Sequence, residues 1–187
     1  MQNPSFRRAQ QHYAQLRQSA YTLVQADALA SGEIRVPLRL RDCSAHTLSV
    51  WQQTSAGPHP SGWGGWDWEP MIRRAWRHPA SFHLAIWSGD ALCGLAVGRV
   101  PRRNQEGTRS VVYIDYLESA HDPRHPLRGS IATLATSAAH AYGRLLQAGA
   151  VRLKDPLPGV LALYASLGFG PVYEGERVLY CERRIEP

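Results

Sequence analysis

At 187 residues the chain is sized for one domain with a real core, or one domain plus a small extension. Its 44% hydrophobic and 19% charged content is ordinary for a globular protein, and no run of about 18 apolar residues suggests a membrane span. The formal net charge of +6 draws polyanions, which include both phosphate-bearing small ligands and RNA. Cys43, Cys93 and Cys181 are odd in number and widely spaced, so they read as reduced thiols and neither as a disulfide framework nor as a zinc site. With a polar N-terminus that lacks the apolar stretch of a signal peptide, the expected location is the cytoplasm.

In chain order, residues 4–30 place Phe6, Tyr13, Leu16, Ala20, Leu23 and Val24 at helical spacing, with Ser31-Gly32 ending the segment. A packing helix is expected, with a homodimer contact as its other use. Residues 34–41 alternate Val36, Leu38 and Leu40 against Arg35, Arg39 and Arg41, which predicts a half-exposed strand, and Pro37 points to an edge position. Residues 45–53 form a short helix capped by Ser44, and residues 71–77 another that ends near Pro79. Between them Trp63, Trp66 and Trp68 stand among glycines and prolines; they either pack onto the core or line a binding surface. Residues 82–87 and 91–100 read as strands joined by the turn Ser88-Gly89-Asp90.

Residues 111–117 are β-branched and aromatic, as a strand requires. From Ile131 the period changes: Ile131, Leu134, Ala135, Ala138, Tyr142 and Leu145 form one helical stripe, and Gly149 is placed as its left-handed stop. Residues 150–154 make a short buried strand. Asp155-Pro156 then supplies a cap and a first-turn proline for a second helix running to Leu167, with Gly168 as the stop. Two further strands, paired antiparallel at one edge, close the chain. A helix that begins just past a strand offers free N–H groups and the positive end of its dipole. Arg124 and Arg128 lie in the loop entering it, and Gly129 and Ser130 permit close backbone approach. That combination points to a phosphate-bearing ligand at residues 124–133, or to a plain strand-to-helix loop whose arginines are solvated.

The stretch Tyr164-Ala165-Ser166-Leu167-Gly168-Phe169 resembles the YxxxGF signature of the GNAT superfamily of acyl-CoA-dependent N-acyltransferases. The order of elements over about residues 80–183 is similar to that family's. Its pyrophosphate loop, Q/R-x-x-G-x-G/A, matches the window 127–132 loosely: Ala132 fits, but Leu127 replaces the Gln or Arg and Ser130 the first glycine. Leu157 stands near where the family often has asparagine.

The resemblance implies a mixed α/β sheet with splayed central strands, residues 33–187 forming the acyltransferase domain and residues 1–32 a helical extension packed on it. It also implies acetyl-CoA as co-substrate, no metal, and an amine acceptor that is a small molecule, a peptide or an aminoacyl-tRNA. Leu117 and Ser119 would contribute strand-end backbone groups to the acyl carbonyl. Arg124, Arg128, Gly129, Ser130, Ile131, Ala132 and Thr133 would hold the phosphates. Tyr164 would face the coenzyme sulfur as proton donor, a role suited to a phenol that stays protonated near neutral pH. The variable region before the second strand suggests Trp63, Trp66, Asp67, Trp68 and Glu69 as acceptor contacts, or as a packed loop. Glu118 is the chosen base, with Asp115 three residues away on the opposite strand face as the alternative. His121 and His125 are assigned surface or phosphate contacts. The rival readings are an acyl-CoA-binding sensor without turnover, and an RNA-directed acetyltransferase docking through Arg35, Arg39 and Arg41.

Overall fold

The computed structural model describes residues 4–55, 57–59, 64–101, 110–175 and 178–186. Helix α1 spans Pro4–Ala30 and is followed by strand β1, Arg39–Asp42. Helices α2 (Ala45–Thr54) and α3 (Trp68–Trp76) lead into the hairpin of β2 (Phe82–Ser88) and β3 (Ala91–Gly98). Strands β4 (Val111–Ile114) and β5 (Tyr116–Ser119) precede α4 (Ile131–Leu145) and β6 (Ala150–Lys154). A 3₁₀ turn at Pro158–Val160, α5 (Leu161–Ser166), β7 (Val172–Glu174) and β8 (Leu179–Arg184) complete the order.

Two four-stranded sheets result, β1-β2-β3-β5 and β4-β6-β8-β7. They are joined because β4 and β5 are halves of one strand. Alternation along β2 sorts the layers: Leu84 and Ile86 meet α1 and α4 on one face, while Ala85 and Trp87 meet α2 and α3 on the other. A sheet covered on both faces is why β2 is buried along its whole length.

Local chemistry sets several boundaries as the sequence suggests. Ser44 and Thr47 exchange side-chain and backbone hydrogen bonds of 3.1 and 3.2 Å, a reciprocal cap for α2. Three expectations need correction. The strand expected over 34–41 is only β1, since Pro37 has no N–H to give a ladder and residues 33–38 stay irregular. Gly149 does not end α4; Gln147 takes the left-handed conformation (φ 54°), and Gly149 instead bonds Ser110 O and Ile185 N–H between neighbouring strands. Asp155 is itself left-handed (φ 44°) and caps no helix; its N–H and carboxylate meet Leu179, and the following helix shrinks to a 3₁₀ turn plus α5.

Helix α1 is tied in by charge. Arg17 forms a two-pronged pair with Asp42 (2.7 and 2.8 Å) and donates to the carbonyls of Pro79 and Ser81, while Tyr21 OH donates to His83 O. Nδ1 of His83 accepts the Cys43 N–H at 3.2 Å, so the ring is neutral there. Burial pushes His83 down to about 4, with nearby Asp42 opposing and Arg17 reinforcing. The unfolded chain therefore takes up this proton first. Stability should be lost as pH falls from about 6.5 toward 4, by on the order of 3 kcal/mol for this residue. Denaturant melts of wild type and His83→Gln at pH 7 and pH 4 check it; the mutant should lose correspondingly less on acidification, and an equal loss would exclude His83 as the source.

Candidate active site

Parallel pairing of β4 with β6 ends at Ile114 and Leu153. Beyond that point the strands part. Asp115 N–H donates to Val97 O at 2.9 Å, yet the register sets Tyr116 opposite the same Val97. Two residues thus oppose one, a β-bulge that bends the strand, so that β5 follows β3 and leaves β6. The bulge is also why the single strand expected over 111–117 appears as two halves.

The N–H of Ala120 bonds Cys93 O at 2.8 Å, in register with Leu95 opposite Glu118. Backbone groups alternate along a strand, so those of Leu117 and Ser119 point the other way, into the open fork. These two N–H groups can donate to a carbonyl oxygen held between the prongs.

On the α1/α4 side the fork meets the start of α4. Leu134 is the first α4 residue whose N–H finds a helical acceptor, Ser130 O at 2.9 Å. The N–H groups of Ile131, Ala132 and Thr133 have no backbone acceptor among the described residues. Gly129 enters at φ 83°, a conformation costly for other residues. Arg124 reaches toward solvent beside Asp122 (3.6 Å), and Arg128 donates to Pro123 O at 3.2 Å. Leu127, at the position of the family's Gln or Arg, is a core side chain. The turn suits a phosphate through backbone N–H groups and two adjustable arginines.

Tyr164 packs against Phe169 (ring centroids 6.1 Å) and the main core, and its hydroxyl makes no hydrogen bond to another described residue. Burial, with Cys181 adjoining, pushes it up to about 12. It is therefore protonated.

The two histidines turn inward. His125 Nε2 lies 2.8 Å from Ser119 Oγ, pinning the loop to the strand end, and burial lowers its pKa against the pull of Asp122. His121 Nε2 lies 3.1 Å from Glu118 Oε1. Glu118 is buried, and its carboxylate also accepts the N–H of Gly65 (2.5 Å) and of Trp66 (3.4 Å), plus the Trp68 indole N–H (2.7 Å). A side chain at Gly64 would strike that carboxylate, so the loop closes only over glycine. Glu118 thus clasps the tryptophan loop to the strand. Trp68 is a core residue against Trp51. Trp66 remains 43% exposed and rests edge-on against Tyr116 at 5.2 Å. Asp67 stands at the start of α3, Glu69 pairs with Arg73 on the surface, and Trp63 lies outside the described residues.

Glu118→Gln puts an NH₂ group against donors it cannot accept from. A loss of about 2–3 kcal/mol is expected, with greater quenching of tryptophan fluorescence. Denaturant melts and acrylamide quenching test this; unchanged values would mean that the clasp contributes nothing.

The opposite, α3 side of the fork is a cleft of about 1140 Å³. Asp115 and Lys154, the first residues past the last strand pair, both line it. Asp115 pairs with Arg99, and burial raises its pKa against the pull of Arg99, Lys154 and Arg74. The sequence favours Glu118 because it stands nearer the strand end, with Asp115 on the opposite face; the bulge that sets Asp115 on the cleft has no reliable signature in residues of this kind.

No family model matches the sequence, and no curated protein matches it. Solved structures match the fold. Ard1 from Thermoplasma volcanium is 16% identical over 81% of this chain and 100% of that chain, with a TM-score of 0.54. A GNAT-family acetyltransferase from Listeria monocytogenes is 12% identical over 79% of this chain and 95% of its own, TM-score 0.54. Naa50 from Arabidopsis thaliana, in complex with the bisubstrate analogue CoA-Ac-MVNAL, is 15% identical over 79% and 97%, TM-score 0.53. The chain has the GNAT acetyltransferase fold. Among the described residues no helix is long and apolar enough to cross a membrane, and no group of three or more metal-ligating side chains occurs.

Proposed function

We propose that the protein transfers an acetyl group from acetyl-CoA to an amine by direct attack. One observation carries this: a bulge-made fork whose free backbone N–H groups lie between an uncapped helix start on one side and an open cleft on the other. The phosphates of acetyl-CoA sit at Gly129, Ser130 and the N–H groups of Ile131, Ala132 and Thr133, flanked by Arg124 and Arg128. The thioester carbonyl lies in the fork, where the N–H groups of Leu117 and Ser119 take up the charge that develops on its oxygen.

The amine enters from the cleft. Its nitrogen bonds to the carbonyl carbon, the carbon–sulfur bond breaks, the amine proton passes to Asp115, and Tyr164 donates to the departing thiolate. Asp115 receives the base role here because it faces the cleft, whereas both Glu118 oxygens are committed to the loop. Among the described residues of the tryptophan loop, Trp66, against Tyr116, and Asp67 remain exposed to an acceptor.

Release of coenzyme thiol from acetyl-CoA across a panel of amines tests the reading. Asp115→Asn should lower kcat by roughly 10²- to 10⁴-fold and remove the acidic limb of its pH profile. Acetyl-CoA binding without thiol release on any amine would make the protein a binder. Full activity in Asp115→Asn would return the deprotonation to water.

A further inference from the structure

The cleft that meets the fork is unevenly charged. Arg74 on α3, Arg99 beyond β3 and Lys154 at the end of β6 line it together with His78, and Asp115 is the one carboxylate among its described lining residues. Arg99 is engaged by Asp115, and Lys154 lies 3.5 Å from Asp155 at the margin. Arg74 makes no ion pair among the described residues, although its neighbour Arg73 is paired with Glu69. Three permanent cations thus surround one buried-side carboxylate. Like charges gathered in a concave space repel one another until an anion completes the set.

The walls bear on the size of the occupant. Ala9 and Tyr13 of α1 line the same cleft, and Gln10 Nε2 donates to Trp76 O at 3.1 Å, holding α1 beside α3. The Arg17–Asp42 pair fixes the helix one to two turns further on. A space of about 1140 Å³ with a helix for one wall is of the order that holds small ligands.

We infer that the acceptor is a small amine carrying an anionic group, its amine directed to Asp115 at the fork and its anionic oxygens to Arg74. This rests on the transferase reading above and names the substrate class for the same site. The planar guanidinium of Arg74 suits a carboxylate or a phosphate equally, through paired charge-assisted hydrogen bonds.

Matched acceptors separate the possibilities. Glycine, β-alanine, γ-aminobutyrate and glutamate are compared with their carboxamides, and phosphoethanolamine with ethanolamine, by kcat/KM for thiol release. At least one anionic member should exceed its neutral partner by about 10- to 100-fold, the range of one charge-assisted hydrogen-bonded contact. The carboxylate and phosphate arms show which group is read. Arg74→Gln should collapse that ratio toward one and Arg74→Lys should restore part of it; Arg74 is exposed, so neither change threatens the fold. Added salt should erode the ratio in wild type and not in Arg74→Gln. Neutral and anionic partners used equally, or a ratio that survives Arg74→Gln, overturns the inference and leaves the transferase reading intact. Thiol release with no amine of any kind overturns both.

Discussion

Tyr164→Phe is expected to lower kcat by roughly 10²- to 10⁴-fold while changing stability by about 1 kcal/mol or less. The ring carries the packing against Phe169 and the core, and phenylalanine keeps it. The hydroxyl has no hydrogen bond to another described residue, so nothing is left unpaired by its loss. Burial makes the phenol a weak acid, pushed up to about 12. Against a thiol of ordinary pKa, about 8.5, a donor that weak would face an uphill transfer of roughly 5 kcal/mol. Burial pushes the neighbouring Cys181 thiol up as well, to about 11. Removal of a coenzyme thiolate from water would raise its pKa in the same direction and so narrow that gap. Acetyl-CoA binding should barely move in the mutant, since the phosphate contacts proposed above lie at the α4 start. Unchanged kcat in a folded Tyr164→Phe would take the residue out of the reaction.

Arg17→Met should destabilise the fold by about 3–5 kcal/mol, the largest loss expected from one substitution here. It leaves Asp42 with the 3.3 Å bond from Tyr21 OH in place of its guanidinium partner, and it withdraws donors from the carbonyls of Pro79 and Ser81 together. A local effect accompanies the global one. Because α1 walls the cleft through Ala9 and Tyr13, loosening it should raise the acceptor KM more than the acetyl-CoA KM in whatever fraction stays folded. Denaturant melts and steady-state kinetics measure the two effects; a loss under 1 kcal/mol would make the pair a surface-like contact.

Much of the architecture was legible because it rests on local rules. The helical stripe of Ile131, Leu134, Ala135, Ala138 and Tyr142 is buried as periodicity requires, though Leu145 at its end is 45% exposed. Gly168 stops α5 at φ 83°. What stayed hidden depends on tertiary contacts. The bulge at Asp115 exists only because β3 and β6 pull on different halves of one strand. The burial of Glu118 follows from a loop some fifty residues upstream folding over it, so its place near the strand end gave no warning that its oxygens would be occupied. His121 and His125 look like surface residues in a polar loop, yet Glu118 and Ser119 draw them inward. The cleft is the plainest case: Arg74, Arg99, Asp115 and Lys154 come from four separate parts of the chain, and no spacing in the chain connects them.

Amide hydrogen exchange with and without acetyl-CoA tests the proposed site most directly. The N–H groups of Ile131, Ala132 and Thr133, which lack backbone acceptors, should exchange readily in the free protein and slow markedly on binding, together with those of Leu117 and Ser119 in the fork. Binding that leaves these five amides unchanged while protecting others would contradict the placement of acetyl-CoA at the fork.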